Sequence, residues 1–235
     1  MSSSSSSVRL ISYSQPPGET SSLQDLVAFC ARVSNPANQM NTQTNEKLIK
    51  YLIQHNHWSP LEMVSVCLEI ETTRDIARQI LRHRSFSFQE FSQRYATVET
   101  TAIITREARL QDTRNRQNSI ELSAEYDDEQ YVLKEQWEQV QERVAEVTAD
   151  AYTWALDNGI AKEQARVVLP EGLTKSRMYM NGTLRSWIHY IQLRTGNGTQ
   201  KEHREVAEKC AAVIGEIFPL GLLLPPSSGS TSSSP

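Results

Sequence analysis

The spacing of apolar residues along the chain predicts a mainly helical protein with a small sheet. Apolar and polar residues alternate with a period of two over residues 64–71, which is the pattern of a half-buried strand. Residues 8–13 and 175–181 are also predicted to be extended. The helical period of three or four appears over residues 22–33, 44–54, 73–82, 123–156, 161–169, 183–194 and 199–218. Because no repeat or long linker divides these elements, they are predicted to form one domain.

The longest helical pattern, residues 123–156, carries an apolar stripe that is predicted to face the core. The members of this stripe are Val132, Leu133, Val140, Val144, Val147, Ala151 and Trp154. Asn158 and Gly159 supply a left-handed stop for this helix, and Ser21 or Ser22 is predicted to cap the first helix. Residues 105–118 are polar and rich in arginine, so they are predicted to form a loop or a broken helix.

Serine-rich segments at both ends predict disordered tails around a domain at residues 8–218. The tails cover residues 1–7 and 219–235, and the second is rich in proline and serine from Pro225 onward. No apolar run resembles a secretory signal or approaches the ~18 residues of a membrane span. Three widely separated cysteines predict reduced thiols and no zinc site. Together these features predict a cytoplasmic protein with no membrane partner.

The charge of the chain argues against a general nucleic-acid binder, because the formal net charge is -4 and there is no basic surplus. Any anion site must therefore be a local cluster of arginines. Arg74, Arg78 and Arg82 are spaced by four, so on a helix they would share one face, and His83 and Arg84 follow directly. This face is either solvated and neutralised by carboxylates or a phosphate site, since the guanidinium group matches phosphate oxygens. The available counter-ions are Glu69, Glu71, Asp75 and Glu90.

A nucleotide, if one binds, has to be held by arginines rather than by a glycine loop. The chain has no GxxxxGK[ST] motif, and Gly196 and Gly198 lack the third glycine and the preceding strand of a dinucleotide fingerprint. A polar stripe of Arg185, His189 and Gln192 runs along the apolar helix at 183–194. This stripe either lines a site or faces solvent.

No side chain is in a sequence context that indicates nucleophilic attack or metal binding. The GxSxG elbow is absent, and Ser92 has no evident base beside it. His55 and His57 are not accompanied by a further cluster of ligands, so no metal site is predicted. The residues alone leave three hypotheses open: a nucleotide-dependent enzyme, a nucleotide- or RNA-binding module without catalysis, and a helical interaction protein.

Four segments in the same order resemble the flavin-dependent thymidylate synthases. Residues 82–92 reproduce the RHRxxxxxxxS motif of that family, and the match continues through residues 93–95. The other similar segments are HWSPLE at 57–62, ARVVLP at 165–170, and residues 183–194. The resemblance covers about residues 8–218.

The resemblance implies roles for individual residues. Those implied to contact the flavin cofactor, FAD, are Ser59, Arg82, His83, Arg84, Glu90, Thr183, Arg185 and His189. Those implied to hold dUMP are Gln79, Arg82, Glu90, Ser92, Gln93, Arg94, Arg166 and Arg194. Arg194 is implied to be the catalytic residue, because a fixed cation beside the uracil ring stabilises negative charge that develops on the ring.

The resemblance also implies the reaction and the assembly. The reaction is the reductive methylation of dUMP to dTMP, with FAD bound, methylenetetrahydrofolate as the one-carbon donor and NADPH as the reductant. It uses no covalent nucleophile of the enzyme, which makes Ser92 a binding residue. The implied fold is α+β, with helices wrapped around a small sheet, in a homotetramer whose active sites lie between subunits. This chain differs from many family members at Thr183 and His189, where asparagine is common, and near Gly198, where a histidine is common.

Overall fold

The computed structural model describes residues 6–16, 22–100, 104–122 and 128–219, and it has a helix-rich α+β fold. Four antiparallel strands, in the order β1-β2-β6-β3, form the main sheet: β1 (Ser7–Tyr13), β2 (Ser65–Thr73), β3 (Ser87–Glu90) and β6 (Lys175–Thr183). Strands β4 (Arg109–Gln111) and β5 (Ser119–Glu121) form a separate hairpin. The helices are α1 (Leu23–Ala31), α2 (Asn45–Gln54), α3 (Arg74–Ile80), α4 (Asp128–Asp157), α5 (Lys162–Ala165), α6 (Leu184–Arg194) and α7 (Lys201–Gly215). The predicted α+β fold is therefore confirmed.

The alternating pattern at residues 64–71 forms the central strand β2 and supplies one face of the main core. Val66, Leu68 and Ile70 have no exposed surface. Leu68 and Ile70 lie directly opposite Met180 and Met178 of β6, so all of these side chains point to the same face of the sheet. Helices α1, α2, α3, α6 and α7 contribute apolar residues to the same core. Full burial of each such side chain stabilises the fold by about 1.5–3 kcal/mol.

Local sequence signals correctly predicted the start of α1 and the end of α4. Ser22 caps α1, because its hydroxyl accepts from the Asp25 amide at 3.1 Å while the Asp25 carboxylate accepts from the Ser22 amide at 3.0 Å. Gly159 has a positive φ of 78° and follows the end of α4, as the Asn-Gly pair predicts. The alternative cap Ser21, residues 123–127 and most of the predicted tails lie outside the described residues. Ser7, assigned to the first tail, is the first residue of β1.

The prediction that the apolar stripe of α4 faces the core is wrong. Val147 and Trp154 are 65% and 63% exposed, and the large residues of the stripe are all exposed by 42% or more. The helix instead buries Tyr152 and Ala155 in a second, smaller cluster near its end. Helical spacing shows that these residues share a face, but it cannot show whether the same chain covers that face. An apolar stripe of this length is therefore left on the surface of the single chain.

The prediction of a loop or broken helix at residues 105–118 is wrong in part, because residues 109–111 form β4 and pair with β5. Each strand of this hairpin has only three residues. Arg109 is partly buried, and the other five residues are exposed. So short and solvated a strand has no apolar alternation to identify it.

Candidate active site

The RHR segment follows the last turn of α3, which ends at Ile80 rather than at Arg82 as predicted. Arg74 is almost buried beside Glu90, with 3.7 Å between Nη1 and Oε1, and Arg78 pairs with Glu171 at 2.9 Å. The two helical arginines are therefore neutralised by carboxylates. Arg82 lies beyond the helix, so the predicted face of three equivalent arginines does not form.

Arg194 is the last residue of α6, and its side chain meets His83. Its Nε donates to Nε2 of His83 at 2.9 Å, which requires this imidazole nitrogen to be unprotonated. Burial and the neighbouring charges of Arg194 and Arg82 lower the pKa of His83 to about 4, so the ring is neutral near pH 7. The ring of His83 also meets the edge of Tyr190, with 4.9 Å between ring centroids. The structure thus holds Arg194 in place by a neutral partner.

A hydrogen-bonded network lies beneath this pair and reaches the first turn of α7. His203 has no exposed surface and contacts the Tyr190 hydroxyl at 3.1 Å and Gln79 Oε1 at 3.2 Å. Gln79 donates to Gln200 at 2.8 Å, and Gln200 donates to Glu202 at 2.9 Å. Of these five residues, sequence reasoning had assigned a role only to Gln79.

The outer end of the network joins the β4–β5 hairpin. Arg109 of β4 donates to the second carboxylate oxygen of Glu202, and Arg109 and Gln200 line a cavity of about 640 Å³ between the hairpin and α7. A buried histidine on an otherwise apolar helix face, beside Val206, Ala207 and Cys210, was the available signal for the network. Without the partners' positions, that signal could not be interpreted.

A second group of predicted residues lies at the other end of β3. Strand β3 spans about 10 Å and separates His83, which precedes it, from Ser92 and Gln93, which follow it. Arg94 pairs with Glu163 at 3.2 Å, and Arg166 donates from Nε to the Glu163 carbonyl at 3.3 Å. Within the described residues, no hydrogen bond or ion pair joins this group to Arg194.

One residue of this region is buried and a second is partly buried. Gln93 is only 3% exposed, and its amide nitrogen has no hydrogen-bond partner within the described residues. A buried amide without a partner costs about 1–3 kcal/mol, so a ligand group that accepts from it would be stabilising. Glu90, at the end of β3, accepts from Ser176 at 2.8 Å and lies near Arg74.

The third group of predicted residues surrounds the start of α6. Thr183 caps this helix by accepting from the Ser186 amide at 3.3 Å, and Ser186 donates to the Ser85 carbonyl at 3.3 Å next to the RHR segment. Arg185 pairs with Glu62, which ends the 3₁₀ turn that Ser59 begins. Helix α6 thus connects this group to Arg194 on one chain.

His189 lies five residues before Arg194 on α6 and is also neutral near pH 7. Its ring meets the edge of Trp58, with 4.6 Å between centroids. Burial and the nearby Arg185 charge lower its pKa. Two uncharged imidazoles, His83 and His189, therefore accompany the cationic side chains of this region.

The turn that carries the RHR segment is fixed by packing of Phe86 against β6. Phe86 packs on Gly182, where a Cβ atom would overlap the phenyl ring. The ring also meets Trp187 edge-on, with 4.8 Å between centroids, and Trp187 donates from Nε1 to the Val66 carbonyl at 2.9 Å. The segment that carries His83 is therefore anchored to the centre of the sheet.

Neither Cys67 nor Cys210 is an activated thiol, and the described part of the chain holds no metal cluster. Burial raises the pKa of Cys67 and of the fully buried Cys210, which disfavours their thiolates. No group of three or more histidine, cysteine, aspartate or glutamate side chains within the described ranges is arranged to hold a metal ion. No helix in the same ranges is long and apolar enough to cross a bilayer.

Comparison with protein families matches residues 9–220 of the chain to the family model described as thymidylate synthase complementing protein. The chain is 48% identical over 214 residues to the probable flavin-dependent thymidylate synthase of Paramecium bursaria Chlorella virus 1, covering 91% of this chain and 95% of that protein. It is also 48% identical over 216 residues to the flavin-dependent thymidylate synthase of Synechocystis sp., covering 90% and 95%.

Comparison with solved structures finds the same architecture in a UMP/dUMP methylase, PolB from Streptomyces cacaoi. The structure bound with 5-Br dUMP has a TM-score of 0.72 and 28% identity, and the match covers 94% of each chain. The structure bound with 5-Br UMP has a TM-score of 0.72 and 26% identity, covering 94% of this chain and 93% of the other.

Proposed function

The chain belongs to the thymidylate synthase complementing protein family, and from this premise we propose that it is a flavin-dependent thymidylate synthase. It catalyses the reductive methylation of dUMP to dTMP with bound FAD. Methylenetetrahydrofolate supplies the carbon, NADPH supplies the two electrons that reduce it to a methyl group, and tetrahydrofolate leaves. The names of the two 48% identical relatives and the dUMP analogue bound by PolB support this proposal.

The observation that carries the proposal is the fixed, uncompensated charge of Arg194. Within the described residues it makes no salt bridge, and its one hydrogen-bonded side-chain partner, His83, is neutral near pH 7. The full positive charge is therefore available to a ligand. A cation held in position beside the uracil ring stabilises the negative charge that the ring gains during methylation, with no reorganisation at the moment of reaction.

The residues at the RHR segment fit the flavin cofactor. Arg82 and Arg84 are exposed, and within the described residues neither has a salt-bridge partner. Such guanidinium groups suit the diphosphate of FAD, and His83 offers a neutral ring beside them. Further residues proposed to contact FAD are Ser59, Glu90, Thr183, Arg185 and His189. When bound, FAD supplies the hydride chemistry of the reaction.

The proposed dUMP residues divide between the two ends of β3, which supports active sites shared by neighbouring subunits. Gln79, Arg82 and Arg194 lie at one end. The residues at the other end are Glu90, Ser92, Gln93, Arg94 and Arg166. One subunit supplies the first set to a site and a neighbour supplies the second.

We propose a homotetramer, and the exposed apolar stripe of α4 supports it. Val147 and Trp154 belong to a stripe that the single chain leaves uncovered, and a second copy of the chain is an apolar partner of matching size. The net charge of -4 fits a small-molecule enzyme with no nucleic-acid partner. A cytoplasmic location is consistent with its cysteines, which are too far apart in sequence for CxxC pairing.

The test is anaerobic mixing of the purified protein with NADPH and dUMP, followed by methylenetetrahydrofolate. The purified protein is expected to be yellow, to bleach when NADPH reduces it, and to form dTMP when the folate is added. A well-folded preparation that takes up neither FAD nor dUMP would refute the proposal.

A further inference from the structure

The side-chain hydrogen bonds between Glu202 and Tyr190 have one self-consistent direction. Glu202 accepts on both oxygens, so the Gln200 atom that faces it at 2.9 Å is the amide nitrogen. The amide oxygen of Gln200 then accepts from the amide nitrogen of Gln79 at 2.8 Å. The amide oxygen of Gln79 in turn faces Nδ1 of His203 at 3.2 Å, so this ring nitrogen carries the hydrogen.

His203 transmits this direction to Tyr190. A neutral imidazole with hydrogen on Nδ1 has an unprotonated Nε2, which accepts from the Tyr190 hydroxyl at 3.1 Å. The ring stays neutral because burial and the Arg194 charge lower the pKa of His203 to about 3. Burial raises the pKa of Tyr190, which keeps the hydroxyl hydrogen needed for this bond. The direction of every bond in the network therefore follows from the acceptor at Glu202.

Both ends of the network are fixed to other parts of the site. Arg109 donates to the carboxylate of Glu202, and the two side chains are only 11% and 12% exposed. At the other end, the Tyr190 ring meets His83, whose Nε2 accepts from Arg194. The network thus runs from the hairpin to the partner of the proposed catalytic cation.

We propose that Glu202 is a positioning residue for dUMP, because its carboxylate orients the Gln79 amide through Gln200. This inference rests on the proposed function, in which Gln79 contacts dUMP. With its nitrogen directed to Gln200 and its oxygen to His203, Gln79 keeps one free N–H on one side and one free lone pair on the other. A ligand therefore meets a fixed pattern of donor and acceptor, and reversal of the amide exchanges them.

The decisive substitution is Glu202→Gln, which keeps the shape and removes the obligatory acceptor. The new amide oxygen faces the donor Arg109, so the new amide nitrogen faces Gln200 and that amide has to turn over. Gln79 then turns over as well, and the hydrogen of His203 moves from Nδ1 to Nε2. The dissociation constant for dUMP is expected to rise about tenfold or more, because one contact at Gln79 becomes donor to donor or acceptor to acceptor.

A matched double variant restores the original direction of the hydrogen bonds in the network without restoring Glu202. In Glu202→Gln combined with Gln200→Glu, the carboxylate at position 200 accepts from both neighbouring amides, and Arg109 still donates to the oxygen at position 202. The net charge equals that of the wild type. Glu208→Gln removes an exposed carboxylate from the same helix and serves as the control, since its only salt bridge is to Arg204 at 4.0 Å within the described residues.

The measurements are the ¹⁵N chemical shifts of the His203 ring and the equilibrium binding of dUMP. The shifts distinguish protonated from unprotonated ring nitrogens, and they are assigned with His203→Asn. Wild type, Glu208→Gln and the double variant are expected to carry hydrogen on Nδ1 and to bind dUMP with similar affinity. Glu202→Gln is expected to carry hydrogen on Nε2 and to bind dUMP weakly.

The two readouts separate the network from the function. The ring shifts are recorded without nucleotide, so a folded Glu202→Gln protein that keeps hydrogen on Nδ1 refutes the network whatever the enzyme does. A reversed ring with unchanged dUMP binding refutes the positioning role while leaving the proposed function intact. Failure of the double variant to recover dUMP binding also refutes the positioning role. A wild type that binds no dUMP refutes the proposed function itself.

Discussion

His203 is expected to make the protein sensitive to mild acid. Its ring has no exposed surface, and its pKa falls from an ordinary 6.5 to about 3 in the folded protein. Between these values the unfolded chain binds a proton that the folded chain does not. Stability from this residue is therefore fully present above about pH 6.5 and is lost as the pH falls towards 3.

The magnitude follows from the two pKa values. Acidification from pH 7.5 to pH 5 is expected to cost the folded state about 2 kcal/mol through His203 alone. For a chain of 235 residues this corresponds to a fall in Tm of roughly 4–8 °C. His83 changes in the same direction, because its folded pKa is about 4, but its partial exposure makes the effect smaller.

The assay is urea unfolding from pH 7.5 to 5 at a fixed protein concentration, since assembly affects apparent stability. His203→Asn is expected to be less stable at pH 7.5, but the gap to wild type should close by about 2 kcal/mol at pH 5. His57→Asn changes an exposed histidine and should follow the wild-type curve. Parallel curves for wild type and His203→Asn would show that the buried ring is not excluded from protonation.

Three further substitutions test the site and its support. Arg194→Ala is expected to lower kcat by at least about 10²–10³ while flavin absorbance remains, and near-normal dTMP formation would contradict the role of its charge. Ser92→Ala should raise the dissociation constant for dUMP about tenfold and retain turnover, whereas lost turnover with normal dUMP binding would indicate a nucleophilic serine. Gly182→Ala should destabilise the protein by about 1–3 kcal/mol in urea unfolding, because the added methyl overlaps Phe86; unchanged stability would show that the ring moves freely.

The sequence pattern correctly predicted the elements whose side chains pack against, or form hydrogen bonds with, other residues of the same chain. Strand β2 was found because Val66, Leu68 and Ile70 are buried by helices of this chain, which selects for strict alternation. The start of α1 was found because Ser22 and Asp25 satisfy each other's backbone amides within one turn. In both cases the contacts that cause the sequence pattern are made within this chain, by the residues that carry the pattern.

The stripe of α4 and the network at Glu202 show where this approach stops. Val147 and Trp154 have helical spacing, but the sequence does not state which molecule covers them. The roles of Gln79, Gln200 and His203 depend on hydrogen bonds between side chains that are more than 100 positions apart in the sequence. No local rule assigns a direction to a hydrogen bond between side chains that the fold alone brings together.

The residues proposed to bind flavin and nucleotide were predicted by motif, and their division in space was not apparent from it. The residues from Arg82 to Ser92 are contiguous in the chain, so they suggest one binding surface. Strand β3 places them at opposite ends because an extended segment of four residues separates side chains that a helix would have kept close.

This separation by β3 has a genetic consequence in the proposed tetramer. A chain damaged at Arg82 and a chain damaged at Ser92 each spoil a different half of every site they help to build. When the two are co-expressed, some sites receive both intact halves, so two impaired alleles together support more thymidylate synthesis than either does alone.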